Sequence, residues 1–164
     1  MARMTLIAPG KRAPAFTLCD QDDQPHRLTQ YKGKPVVLFF YPKDDTSGCT
    51  QEACDFRDDM SKFKRAGAVV LGVSPQNVKS KAKFAQKNNL NFPILADTPD
   101  DNKLPKVCDK YGVWVEKSMY GRRYMGVVRT TYLIKPSGTV AQRWDKVKIP
   151  GHADEVLETV KALQ

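Results

Sequence analysis

Apolar positions along this chain form two kinds of run, continuous and helically spaced, and the two alternate. Pro35-Val-Val-Leu-Phe-Phe-Tyr41 has no polar interruption, as expected of a strand covered on both faces in a parallel sheet. Val69-Val-Leu-Gly-Val73 is a second such run, closed by Ser74-Pro75. Phe92 to Ala96 is a third, and its Pro93 marks a strand start or an edge position. Between them, Ala53, Phe56, Met60 and Phe63 share a helical face, as do Val78, Phe84 and Ala85 within Asn77 to Lys87. Leu104, Val107, Cys108 and Tyr111 mark a short helix, and Val156, Leu157, Val160 and Leu163 a C-terminal one. Gly67, Asn88-Asn89 and Gly112 supply stops. Phe16 to Leu18 and His26 to Leu28, separated by the polar stretch Asp20 to Pro25, predict an N-terminal β-hairpin. Val127 to Ile134 reads as a strand that Lys135-Pro-Ser-Gly138 turns into a partner, Val140 to Trp144. Val115 to Met125 has no clear period and reads as a loop.

The predicted order is a hairpin followed by β-α-β-α-β-α-β-β-α. This is an α/β chain with a mixed central sheet and helices on both faces. No repeat or linker divides it, so residues 1–164 are expected to form one domain. The run from Val36 to Tyr41 is far too short to span a bilayer. The N-terminal stretch MARMTLIAPGKRAP lacks the apolar core of a secretory signal. These features point to a soluble protein of the cytoplasm with no membrane contact. The 27 Lys and Arg against 18 Asp and Glu, a formal charge of +9, bring in anionic partners as a question. The basic residues are dispersed, with Lys79, Lys81, Lys83 and Lys87 reading as a solvated helix face, and no nucleic-acid motif accompanies them.

The segment Pro42 to Cys54, PKDDTSGCTQEAC, follows the first buried strand and leads into the first helix. Pro42 cannot extend the sheet ladder, so the chain must leave the sheet there. Cys49 falls in the first helical turn, where unpaired backbone N–H groups and the positive end of the helix dipole favour a charged sulfur. Thr46 and Ser47 can cap the helix or offer a hydroxyl to a substrate, and Gly48 permits close backbone approach. The plain alternative for Cys49 is a small buried hydrophobe.

Cys54 lies five residues on. In an ideal helix that is a rotation of about 140° and a rise of roughly 7.5 Å. Disulfide closure wants Cα atoms within about 7 Å, so the two thiols can join only if the helix start unwinds. Core packing and a redox role are both open for Cys54 on geometry alone. Four cysteines without a signal sequence suit thiols in a reducing compartment. His26 and His152 are far from the cysteines in sequence and there is no C-x-x-C pair, so neither a zinc site nor an ordinary dithiol reductase is indicated. Cys19 and Cys108 have no partner motif and read as packing residues, with Cys108 an alternative second thiol.

Taken together, Pro42, Thr46 and Cys49 form P-x-x-x-T-x-x-C, and YPKDDTSGCTQEAC resembles the active-site segment of peroxiredoxins of the bacterioferritin-comigratory, or Q-type, subfamily. GVSPQNVKSKAKF at 72–84, NFPILAD at 91–97, YGVWVEKSMYGRRYMGVVRTTYLI at 111–134 and GHADEVL at 151–157 resemble it in the same order. Gln76, where the subfamily often has an acid, and Val115, where it often has glycine, depart from the pattern and are expected to lie outside the site. The resemblance implies a thioredoxin-like fold and a thiol peroxidase acting on hydrogen peroxide and alkyl hydroperoxides. It implies Cys49 as the peroxidatic thiol, Cys54 as the resolving thiol in an intramolecular disulfide, Thr46 as a hydroxyl for the peroxide and Pro42 as a shield. It matches the family's arginine to Arg129, which from sequence alone would read as a surface strand residue. No metal or other cofactor is implied; a thioredoxin-type dithiol would recycle the disulfide, and the chain would be a monomer or a weak homodimer. The competing reading is a thioredoxin-like disulfide oxidoreductase or redox chaperone without peroxidase activity.

Overall fold

The computed structural model describes residues 5–163; the first four residues of the stretch read for a secretory signal lie outside them. A seven-stranded sheet runs in the order β2-β1-β5-β4-β3-β8-β9, with Thr17–Cys19 as β1, Pro25–Arg27 as β2, Val36–Phe40 as β3, Val69–Ser74 as β4 and Ile94–Ala96 as β5. Thr130–Ile134 is β8 and Val140–Trp144 is β9. β3, β4 and β5 are parallel, while β8 pairs antiparallel with β3 and β9 with β8. The N-terminal hairpin joins through a single residue pair, Cys19 with Ala96, and Pro93 immediately precedes β5, where its missing N–H costs nothing.

All five residues of β3 are buried, because both faces of the sheet are covered. Val37, Phe39 and Tyr41 enter one cluster and Val36, Leu38 and Phe40 the other. The first face receives Ser47–Asp58 (α1), Met60–Arg65 (α2), Val78–Asn88 (α3) and His152–Ala162 (α5) through Phe56, Phe63, Phe84 and Val156. Phe56 stacks on Phe39 with ring centroids 4.6 Å apart. Gly72 lies opposite Phe39 in register, and a Cβ there would approach the Phe39 ring to 2.7 Å, so the glycine inside an apolar strand makes room for that ring. The second face receives Lys106–Lys110 (α4), with Val107 and Cys108 packed beside Tyr111 and Tyr132. The α/β architecture with helices on both faces and an N-terminal hairpin is as the sequence predicts.

Three boundaries differ. The helical face from Ala53 to Phe63 is divided at Asp59 into α1 and α2. The segment read as a loop forms an antiparallel pair, Trp114–Met119 (β6) and Arg122–Val127 (β7), joined by Tyr120-Gly121. Much of it is exposed, so its side chains are not sorted by a core and leave no alternation to read. The strand predicted from Val127 to Ile134 is interrupted at Val128 and Arg129, whose backbones turn to other partners: Val128 N–H donates to Val113 O at 2.9 Å and Arg129 O accepts from Val147 N–H at 3.0 Å. That interruption positions Arg129. No helix among the described residues is long and apolar enough to cross a membrane.

Candidate active site

Tyr41 N–H still donates to Val73 O at 3.0 Å, and at Pro42 the chain leaves the sheet. The loop Pro42–Thr46 is held from below by a buried polar network. Asp44 accepts from Tyr41 OH at 2.6 Å, from Ser80 OH at 2.7 Å and from the Lys81 ammonium at 2.9 and 3.0 Å. Lys81 is wholly buried and also donates to Ser74 Oγ. Burial pulls its pKa down, opposed by Asp44. Gln76 accepts from Asp44 N–H at 3.0 Å and from Ser74 OH at 2.7 Å, and donates to Pro42 O at 3.3 Å. The expectation that Gln76 stands apart from the site is thus corrected: its amide can donate and accept at once, which ties both Pro42 and Asp44 in place.

Thr46 is the N-cap of α1, yet its side chain caps nothing; its hydroxyl donates to Lys43 O at 2.9 Å. The first intrahelical bond is Thr50 N–H to Thr46 O, so the amides of Ser47, Gly48 and Cys49 precede the helical ladder. Cys49 is buried against Phe39, Tyr41 and Ala53. It nevertheless has a charged partner, because Arg129 reaches it across the fold.

Arg129 Nη2 donates to Cys49 Sγ at 3.2 Å and Nη1 to Glu52 Oε1 at 2.5 Å. Burial opposes the guanidinium's charge, but Glu52 and Cys49 more than offset that and leave its pKa raised. Glu52 is 1% exposed. Its burial pushes it up to about 7, against the pull of Arg129, and its Oε2 has no hydrogen-bond partner. The sequence reading did not single out Glu52. The signal was present: position 52 falls on the same helical face as Cys49, Ala53 and Phe56, where a carboxylate needs a partner. Gly48 leaves space for this arrangement, since a Cβ there would lie 3.3 Å from Ile149 Cδ1 and 3.4 Å from Arg129 Nη2. The half-buried Lys117 donates to Val127 O at 2.5 Å.

Cys54 lies further along the unbroken α1 and does not join the core. It is partly exposed, with Sγ 4.0 Å from Asn88 Oδ1 at the end of α3. Arg57 donates to the Asn88 carbonyl at 2.6 Å beside it. All four cysteines are free thiols, and the helical separation keeps Cys49 and Cys54 apart. Cys108 is in the cluster on the opposite face of the sheet from Cys49, and burial raises its pKa well above the ordinary thiol range, helped by Asp97. Among the described residues no group of three or more His, Cys, Asp or Glu side chains could hold a metal. A cavity of about 540 Å³ lined by Leu28, Val36, Ile134 and Lys135 is at the opposite end of β3 and shares no residue with this site.

A thioredoxin-like sheet carrying one thiol at an uncapped helix start, within hydrogen-bond reach of a guanidinium, defines a thiol-dependent peroxidase. The comparisons agree. The AhpC/TSA family model matches residues 9–143. Peroxiredoxin Bcp of Bacillus subtilis is 44% identical over 94% of this chain and 96% of its own length, and peroxiredoxin Bcp of Escherichia coli K12 is 40% identical over 96% and 98%. The bacterioferritin comigratory protein of Xanthomonas campestris, studied for its alkyl peroxide reduction activity, superposes with a TM-score of 0.85 at 38% identity, over 95% of this chain and 99% of its own. PrxQ of Xylella fastidiosa superposes with a TM-score of 0.88 at 33% identity, over 97% and 98%. The chain belongs to the AhpC/TSA family and, within it, to the Bcp or Q-type peroxiredoxins.

Proposed function

We propose that Cys49 is the peroxidatic thiol and Cys54 the resolving thiol of a cycle that reduces hydrogen peroxide and alkyl hydroperoxides as an antioxidant defence of the cytoplasm. The observation that carries this reading is the 3.2 Å contact from Arg129 Nη2 to Cys49 Sγ at a helix start whose cap residue leaves the amides free. The Cys49 thiolate attacks one peroxide oxygen, the O–O bond breaks, and the departing oxygen takes a proton to leave as water or an alcohol. Cys49 is then a sulfenic acid. Negative charge moves from sulfur to the departing oxygen, and the guanidinium and the free amides stabilise it on the way. Thr46 gives its own proton to Lys43 O, so its lone pairs are available to accept from the peroxide O–H. Pro42 closes one side of the pocket.

The sulfur of Cys54 then attacks Cys49 Sγ, a disulfide forms, and the sulfenic oxygen leaves as water. Because α1 holds the two apart, its first turns unwind for this step. A thioredoxin-type dithiol returns both thiols by exchange, and the chain works as a monomer or weak homodimer. One equivalent of hydrogen peroxide added to the reduced protein should give a product lighter by two hydrogens with Cys49 joined to Cys54, read by intact mass and thiol mapping. Both thiols remaining free would contradict the proposal. A protein oxidised only by other disulfides would favour the disulfide oxidoreductase reading.

A further inference from the structure

Among the described residues the β6–β7 hairpin pairs with no other strand, and it is where their exposed large apolar side chains are concentrated. Met119, Tyr120, Tyr124 and Met125 are four of the five large apolar side chains exposed among the described residues, with Tyr120 at 97%. Clustered apolar exposure of this kind marks an interaction surface. The turn itself is built against local preference. Tyr120 has φ 51° and Gly121 φ 78°, the pattern of a type I′ turn, whose first position favours Asn, Asp or Gly. A bulky aromatic in the left-handed region is an outlier. Folding of the hairpin does not call for tyrosine there.

The same hairpin is rooted at the active site. Directly opposed residues share a face, so Lys117 with Tyr124 and Met119 with Arg122 lie on one side. Lys117 on that side donates to Val127 O, two residues before Arg129, and its charge acts on both Arg129 and Cys49. Met119, Arg122 and Tyr124, on the side of Lys117, therefore lead outward from that root. Lys117 and Arg122 stand among them on that side, while Met125, Arg123 and Glu116 lie on the other face, with Glu116 3.6 Å from Arg123.

We propose that this hairpin is the docking surface for the dithiol protein that reduces the oxidised enzyme, a small partner with an apolar patch and an acidic rim around its own thiols. The inference rests on the disulfide cycle described above. In that step a partner thiolate attacks one sulfur of the Cys49–Cys54 disulfide and displaces the other as a thiolate. The partner's second thiol then breaks the mixed disulfide, so two electrons and two protons pass to this chain and the partner leaves as a disulfide. A partner close enough to attack must lie against whatever surrounds Cys49, and the root of the hairpin, at Lys117 and Val127, reaches that surround, with its apolar, basic side running out from there. Aromatic anchors of this kind carry much of the affinity of an interface, and the cations favour an acidic partner.

The decisive variant is Tyr120→Asn, alone and with Tyr124→Ser. Asn-Gly is the favoured type I′ sequence, so folding should be retained or improved while the anchor is lost. With thioredoxin as reductant, KM for thioredoxin should rise about tenfold, as for loss of a hot-spot side chain. The rate of oxidation by one equivalent of peroxide and reduction by dithiothreitol should not change. An unchanged KM in a wild type and variant that thioredoxin recycles equally well would overturn the docking surface alone. An oxidised wild type that dithiothreitol reduces and thioredoxin does not would overturn the recycling reading beneath it. Two further results would assign the hairpin to another occupant and overturn the proposal: a wild-type dimer in sedimentation that the variant loses, or slower oxidation by cumene hydroperoxide but not by hydrogen peroxide.

Discussion

Glu52 follows Cys49 by one helical turn on the same buried face of α1, and the two side chains share one guanidinium, that of Arg129. A bidentate contact of this kind fixes a planar donor in two directions, so Glu52 sets where the charge of Arg129 points. Arg129→Lys keeps a cation but cannot span both partners. It should lower the second-order rate with hydrogen peroxide by about 100-fold, the scale for losing one positioned donor to developing charge. Stopped-flow kinetics test this, and a rate within twofold of wild type would show that the fork is dispensable.

Glu52 and His152 give the fold opposite pH dependences. Glu52 is raised from 4.5 to about 7 by burial, against Arg129. The native state therefore holds a proton there that the unfolded chain has released, so this contribution is fully present below about pH 4.5 and is lost as pH rises to about 7. His152, buried with its Nε2 2.8 Å from Thr131 Oγ1, is lowered from 6.5 to about 4 by burial and by Arg129, against Glu155. Its contribution is present above pH 6.5 and is lost as pH falls to about 4. Between about pH 4.5 and 6.5 the two oppose each other. Glu52→Gln should make stability rise more steeply with pH in that window than in the wild type, and His152→Asn should make it fall. Urea unfolding at several pH values measures this; parallel profiles for all three proteins would contradict it.

Lys81 has neither Cys49 nor Arg129 among its hydrogen-bond partners but supports the loop before Cys49 through Asp44. Lys81→Met leaves a buried carboxylate without its counter-charge and should cost about 3 to 5 kcal/mol. Adding Asp44→Asn removes the stranded charge and keeps an acceptor for Tyr41, so the double variant should recover most of that loss. Denaturant midpoints compare them. A double variant no more stable than Lys81→Met would show that the pair is not coupled.

Cys108 is separated from Cys49 by the sheet and held protonated by its burial. Iodoacetamide on the folded reduced protein should leave Cys108 unlabelled, and Cys108→Ser should form the same disulfide after peroxide. Labelling of Cys108 at the rate of Cys54 would contradict its assignment to packing.

Much of this was legible in the sequence, for physical reasons. Val36 to Tyr41 could be read because burial on both faces removes all polar positions, and Asn77 to Lys87 because Phe84 and Ala85 enter the core from one helical face. The segment around Cys49 could be read because proline, threonine, glycine and cysteine each have a separate local job there. Three things could not be read. The β6–β7 hairpin has little core to sort its side chains. Arg129 looks like any strand residue until the chain is folded, since its partner lies 80 residues away. Lys81 reads as part of a solvated lysine face because neither its burial nor its pairing with Asp44 is visible locally.

Folded, α1 holds Cys49 against Arg129 and Cys54 against Asn88, so the proposed disulfide forms only if α1 opens. Hydrogen exchange by mass spectrometry on the reduced and the fully oxidised protein tests it most directly. Loss of protection should be confined to the amides from Thr50 to Asp58, with β3 and α5 unchanged. An oxidised protein with its Cys49–Cys54 bond verified and α1 as protected as in the reduced form would contradict the account.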